Sequence, residues 1–325
     1  MGDIAAKVVF LEPGYTSYET EKAALSEFEL DFVVVGNDAS DEERCAAVQD
    51  ADIVMLRDRV LDQTLLDSMG RAKGIVRYGV GYNNIDYEYA AIKKIPVCNV
   101  PDYGADAVAE FAIGLMFAAS RMIVSRDKAV RQGAWDISEA QQVRVLAGKT
   151  LGLISFGRIA RCLKAKTDGI GFEKVIVYDP FLSEAEAKKH NIIKVDMDTL
   201  CKESDIVSLH APLTSETYHL LNAQRIAMMK TTAVVVNTGR GGLIDEDALY
   251  YALKNKRLFA AAIDVFENEP VASDHKLFEL DNTVVSDHTA WFTVESLREL
   301  QTKAGLEAVR MLQGERPKNW INRWD

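Results

Sequence analysis

At 325 residues the chain is too long for one ordinary domain and long enough for two. Hydrophobic residues make up 48% and charged residues 27%, a globular mix that excludes a mainly disordered or fibrous protein. The formal net charge of −11 argues against nucleic acid and anionic membrane partners, so a site for an anionic substrate needs arginines of its own.

In chain order, Val- and Ile-rich runs alternate with helical stretches. KVVFL (7–11), DFVVV (31–35), DIVML (52–56), GIVRY (74–78) and PVCNV (96–100) read as buried strands, and this first unit ends near Pro101. One long helix is expected from Ala105 to Ile123; its apolar part, interrupted by Glu110 and Arg121, is too short and too charged to span a bilayer. A second series starts at TLGLIS (150–155) and continues with VIVYD (175–179), DIVSL (205–209), AVVVN (233–237), AAIDV (261–265) and TVVSD (283–287). A last helix is expected from Thr293 to Leu312. Apolar runs covered on both faces imply parallel sheets flanked by helices, hence two α/β units without a flexible tether. The N-terminus lacks the pattern of a secretory signal, and Cys45, Cys98, Cys162 and Cys201 show no zinc or disulfide spacing. A cytoplasmic protein with reduced thiols and no metal is expected.

Ser155, Phe156, Gly157, Arg158, Ile159 and Ala160 follow strand TLGLI and open a helix, the position of a G-x-G-x-x-G/A dinucleotide fingerprint. Gly157 lets the backbone approach a pyrophosphate, and the helix start offers N–H groups and a positive dipole end. Ser155 departs from the glycine of the pattern. Asp179 ends the next strand, 22 residues after Gly157, where an acid binds ribose hydroxyls. The segment 179–187 has no Lys or Arg for a 2′-phosphate, which favours NAD over NADP. AGKT (147–150) is not a phosphate loop, because Val143 stands where its first glycine belongs.

Arg240 in VVNTGRGG, Glu269 in IDVFENEP and His288 in SDHTAW each follow a strand, at the carboxyl ends where α/β proteins place ligands. These types suit 2-hydroxy acid oxidation. A histidine exchanges the hydroxyl proton near neutral pH, a carboxylate orients it and stabilises its charged form, and an arginine clamps the planar carboxylate.

These segments together resemble the D-isomer-specific 2-hydroxyacid dehydrogenases, from about Ala51 to Trp320. The motifs are VRYGVGYNNID (76–86), NVPDYGADAVAEFAIGLM (99–116), GKTLGLISFGRIAR (148–161), VYDP (177–180), HAPLTSET (210–217), VNTGRGGLIDEDAL (236–249), AAIDVFENEP (261–270) and DHTAW (287–291). The resemblance implies a catalytic set of Arg240, Glu269 and His288. It implies a NAD site of Ser155, Gly157, Arg158, Ile159, Asp179, His210, Ala211, Pro212, Thr217, Thr238, Gly239, Arg240, Asp264 and His288, with Asp264 accepting the nicotinamide carboxamide. Backbone N–H groups of Val80 and Gly81, with Arg77 and Arg240, are expected to hold the carboxylate of a small 2-oxo or 2-hydroxy acid, and Trp291 to wall the pocket. Two doubly wound parallel-sheet domains around a cleft are implied: a Rossmann domain at 102–290, and a flavodoxin-like substrate domain at 1–101 and 291–325. A homodimer is expected, with the apolar helix from Ala105 serving its interface. HTAW and GERPKNW are similar to the C-terminal binding protein corepressors, so a NAD-sensing binding protein is the alternative to an enzyme. The chain ends soon after its last helix whereas corepressors carry long tails, which favours the enzyme. Tyr82, Tyr103 and Trp291 suggest an apolar substrate side chain; Arg57, Arg59 and Arg77 suggest a second anion.

Overall fold

The computed structural model describes residues 6–12, 14–135 and 143–324. It contains two compact units, Met1–Gly104 with Thr293–Asp325, and Ala105–Phe292. In the first, β1 (Ala6–Leu11), β2 (Leu30–Val35), β3 (Ile53–Leu56), β4 (Gly74–Arg77) and β5 (Val97–Asn99) form a sheet in the order β2-β1-β3-β4-β5. Every pair is parallel. All four residues of β3 are buried, as a strand covered on both faces requires. Val9, Leu11, Val54, Leu56, Ile75 and Val97 build the core on one face. The helix Val294–Leu312 packs on β3 and β4, so the end of the chain completes the first unit. Thr293 caps that helix by accepting the Ser296 N–H at 3.0 Å.

Past that helix, Asn322 is 5% exposed and bonds in four directions. Its Oδ1 accepts from the Val97 N–H (2.8 Å) and Trp320 Nε1 (2.9 Å), and its Nδ2 donates to the carbonyls of Ile95 (2.9 Å) and Tyr87 (3.2 Å). This strap fixes β5, whose Asn99 Nδ2 donates to the Val80 carbonyl at 2.6 Å.

In the second unit, β6 (Thr150–Ile154), β7 (Lys174–Tyr178), β8 (Ile193–Lys194), β9 (Ile206–Leu209), β10 (Val234–Asn237), β11 (Ala260–Ile263) and β12 (Thr283–Val285) make a parallel sheet. Its order is β12-β11-β10-β9-β6-β7-β8. Every residue of β6, β9, β10 and β11 is buried. Alternate residues feed opposite cores: Val235 goes to one, Val234 and Val236 to the other. The strand order reverses between β6 and β9, so their carboxyl ends form the switch point where such sheets bind ligands.

Two elements differ from the sequence expectation. The two-residue edge strand β8 is too short to leave a periodic signal. The single helix expected from Ala105 to Ile123 is two, Ala105–Ser120 and Ile123–Arg131, bent by 60°. Met122 takes a left-handed backbone (φ 52°) between them. The first helix buries Ala109, Ala112 and Met116 against the sheet, whereas the second buries none of its residues. No single helix among the described residues is long and apolar enough to cross a membrane.

Asn322→Ala strands the buried Val97 N–H and three partners. It is expected to lower unfolding free energy by about 2–3 kcal/mol, measured by denaturant titration; a loss within error would show that solvent replaces the strap.

Candidate active site

The carboxyl end of β6 carries the fingerprint. Ser155 has φ 72°, a left-handed conformation that costs a non-glycine residue about 1–2 kcal/mol. Asp179, at the end of β7, stabilises it: Oδ2 accepts the Phe156 N–H at 2.8 Å and the Ser155 hydroxyl at 3.3 Å, and Oδ1 accepts the Phe181 N–H at 2.8 Å. The acid expected to meet a ribose thus also holds the fingerprint loop. Gly157 is the N-cap of Arg158–Thr167 and gives it no side-chain cap. A β-carbon there would meet no atom within 4 Å, so the space before the N–H groups of Arg158 and Ile159 is open to an anion.

A cavity opens where β7 and β8 end, lined by Tyr178, Asp179, Pro180, Lys194, Asp196 and Thr199. The sequence reading did not find Lys194, Asp196 or Thr199, because β8 gave no signal. Lys194 donates to the Leu182 carbonyl at 2.6 Å, and acids outnumber it around the cavity. That balance disfavours a 2′-phosphate.

Along the sheet, His210 follows β9 and Thr238 follows β10. His210 Nδ1 and Thr238 Oγ1 are buried without a hydrogen-bond partner among the described residues. Burial pushes the His210 ring down to about 4, so it is neutral near pH 7. Its Nε2 lies 2.9 Å from Ser208 Oγ. Two buried polar atoms left over at adjacent strand ends, beside an uncapped helix start, fit a polar ligand laid across the switch point. The donor set therefore fits a dinucleotide. Ala211 is buried in the same turn. Thr217 serves the turn itself, donating to the Pro212 carbonyl and accepting the Thr214 N–H, each at 2.7 Å. The turn of Gly239 and Arg240 is held by Asn237, which was not singled out from the sequence. Its side chain accepts the Gly239 N–H (3.0 Å) and donates to the Arg240 carbonyl (2.9 Å).

Asp264 is 1% exposed at the end of β11. Its carboxylate accepts from Ser286 Oγ (2.6 Å), Thr289 N–H (3.0 Å) and Ala290 N–H (3.1 Å), and its carbonyl accepts the His288 N–H at 2.8 Å. These bonds hold His288 in a left-handed conformation, φ 57°. There the imidazole Nδ1 lies 2.6 Å from Glu269 Oε2, while Glu269 Oε1 accepts the Phe266 N–H at 2.9 Å. Burial raises the Glu269 pKa, but the bonds from His288 and Phe266 and the positive charges of His288 and Arg240 outweigh it and hold the carboxyl below the usual range. Glu269 is therefore a carboxylate at neutral pH, and His288 donates Nδ1–H to it, leaving Nε2 to exchange a proton. Trp291 packs edge-on against Phe292, ring centroids 5.4 Å apart.

In the first unit, Arg77 ends β4. It donates to the Tyr78 carbonyl and lies 3.9 Å from Asp58. The backbone of the Val80–Gly81 loop is fixed at two carbonyls: Gly79 accepts the Val100 N–H at 3.1 Å, and Val80 accepts from Asn99. Arg57 stacks over Tyr15 at 5.6 Å, and Arg59 is paired with Asp41 at 3.0 Å.

The profile of a family described as "D-isomer specific 2-hydroxyacid dehydrogenase, NAD binding domain" matches residues 113–290. A D-3-phosphoglycerate dehydrogenase of Methanocaldococcus jannaschii is 38% identical over 296 residues, 90% of this chain; the chain spans 56% of that protein. A glyoxylate reductase of Thermofilum pendens is 38% identical over 290 residues, covering 87% of this chain and 85% of its own. The solved structure of a D-lactate dehydrogenase from Aquifex aeolicus, complexed with NAD and lactic acid, superposes with a TM-score of 0.85 at 27% identity, covering 98% of this chain and 100% of that one.

Because Asp179 both faces the cavity and holds the fingerprint loop, Asp179→Ala is expected to narrow any preference for NADH over NADPH while weakening NADH itself about tenfold or more. Fluorescence titration of the two cofactors checks this; unchanged NADH affinity would show that the loop holds without its acceptor.

Proposed function

The chain belongs to the D-isomer-specific 2-hydroxyacid dehydrogenases and is a NAD-dependent oxidoreductase of 2-hydroxy acids; from that premise we propose that it reduces a small 2-oxo acid to the D-2-hydroxy acid, with His288 as proton donor. The observation that carries this is the 2.6 Å His288–Glu269 pair beside the Arg240 turn, all at the carboxyl ends of β10, β11 and β12. NAD, when bound, supplies or accepts the hydride. His288 Nε2 gives its proton to the forming hydroxyl, and Glu269 stabilises the charged imidazole before transfer. Arg240 binds the substrate carboxylate and polarises the oxo group. In the first unit, the Val80–Gly81 loop with Arg77 is the proposed carboxylate contact. Asp264 is the proposed acceptor of the carboxamide, with lone pairs beyond the three donors it already holds. Residues 102–290 are the proposed dinucleotide domain, and 1–101 with 291–325 the proposed substrate domain.

The corepressor reading is not favoured, since the relatives named are reductases and dehydrogenases. A second anionic group on the substrate is supported by Arg57 beside Tyr15, whose buried hydroxyl has no partner among the described residues. A homodimer in the cytoplasm is the proposed assembly and place. Phe117, Ile123, Val124, Val130 and Trp135 are exposed on and just after the two helices from Ala105, a surface that association would cover. A mass of twice the chain by light scattering is expected; a monomer at assay concentration would remove this part.

Turnover of NADH with a panel of 2-oxo acids, including one carrying a phosphate, tests the activity and its substrate class. No turnover with any would sink the reading. Arg240→Lys keeps the charge but loses the planar fork. It is expected to lower kcat/KM by roughly tenfold or more, and Arg240→Ala by about a hundredfold, with NADH binding retained in both. Near-normal kcat/KM in the alanine variant would rule Arg240 out.

The pH dependence has a definite sign. Reduction needs the His288 imidazolium, so reductive kcat/KM falls as pH rises through its titration. The Glu269 carboxylate accepts the His288 Nδ1–H, so Glu269→Gln is expected to move the fall to lower pH. A pH–rate profile that stays in place would reduce Glu269 to a loop residue.

A further inference from the structure

We propose that Glu246 is a positioning residue for the His288–Glu269 pair, acting through the Phe266–Glu267 peptide. The dehydrogenase reading enters only in calling that pair the proton-transfer site.

Glu246 opens the helix Glu246–Lys254 and is 9% exposed. The helix does not need it as a cap, because Asp245 accepts the Ala248 N–H at 3.0 Å. Instead Oε1 of Glu246 accepts the Glu267 N–H at 2.8 Å, and Oε2 lies 3.1 Å from His275 Nε2. The other ring nitrogen of His275 accepts the Leu277 N–H at 3.4 Å, so Nε2 carries the proton and donates to Glu246. The His275 ring stands edge-on to Phe266, centroids 5.3 Å apart.

The same peptide is gripped from its other sides. His219 pairs with the Glu267 carboxylate, and its own N–H donates to the Gly242 carbonyl at 2.7 Å. A β-carbon at Gly241 would overlap the Phe266 carbonyl and the Glu267 nitrogen. The Arg240 turn therefore rests directly on this peptide, which only glycine permits. One peptide back, on the near side, the Phe266 N–H donates to Glu269 Oε1. Glu246 thus fixes the peptide on which the Arg240 turn rests, and that peptide is joined through the Phe266 α-carbon to the N–H that holds the Glu269 carboxylate. If it lets go, Glu269 loses its fixed distance to His288. The other charged groups around Glu246 are engaged elsewhere: Asp247 with Lys276, and Glu279 with Tyr250 and Lys254. Around the pair, Arg240 acts on Glu269, and Asp287, next to His288 in the chain, accepts from Thr289 Oγ1 at 3.0 Å.

The test is the titration of the His288 ring, followed by NMR of its carbon-bound protons in the full chain without substrate and assigned by loss in His288→Gln. Glu246→Ala is expected to move the His288 midpoint to lower pH by about 0.5–1 unit, with the protein still folded by thermal melt. Glu246→Gln removes the charge but keeps an acceptor for the Glu267 N–H, and is expected to retain the wild-type midpoint. Should Glu246→Ala fail to fold, His219→Ala, on the exposed side of the same peptide, is expected to shift the midpoint in the same direction. An unmoved midpoint in the folded variant overturns the proposal. So does an equal shift in Glu246→Gln, which would mark a long-range charge effect. Because the readout uses no substrate, a failed turnover panel would sink the dehydrogenase reading without touching this result.

Discussion

The geometry of the second unit depends on one buried carboxylate. Where a parallel sheet ends, the backbone must leave it without stranding polar groups in an apolar surround. At β11, Asp264 meets that need with bonds to Ser286, Thr289 and Ala290. It also imposes a shape: with its carbonyl bound to the His288 N–H, it holds the histidine in a left-handed conformation and turns its ring to Glu269. Asn237 does the equivalent work at β10 for the Arg240 turn, and the two strand ends are joined by the Asp264 N–H to the Asn237 carbonyl at 3.0 Å. Arg240, Glu269 and His288 stand on short turns just past the strand ends, and these bonds tie those turns to the sheet.

The fingerprint loop solves its problem in the same currency. Ser155 occupies a conformation that glycine adopts freely, and Asp179 offsets the cost by binding both the Ser155 hydroxyl and the Phe156 N–H. One acid therefore serves two ends, holding the loop and facing the cavity beyond β7.

Electrostatics run against the site at long range and for it at short range. A chain at −11 repels small carboxylates over a Debye length, and local groups must reverse this. In the second unit, Arg240 and an uncapped helix start supply positive potential where the strands end, while His210 is kept neutral by burial. Charge is thus placed where a ligand would carry it, and removed from the imidazole beside it.

The sequence by itself determined the two parallel sheets, because a strand covered on both faces must be apolar throughout and such runs are visible without any partner. It also singled out Arg240, Glu269 and His288, because each follows such a run, at the sheet ends where α/β proteins place ligands. Other features were settled only by tertiary contact. The helix from Ala105 breaks at Met122, where the chain takes a left-handed backbone that no local period records. β8 exists because β7 offers it an edge. Asp179 holds the fingerprint loop, Asn237 the Arg240 turn, and Glu246 the peptide behind Glu269, each through bonds that depend on how the strands and loops are brought together. The residue types were legible along the chain; their partners were not, because a hydrogen bond across a fold is set by which strand ends come to lie side by side.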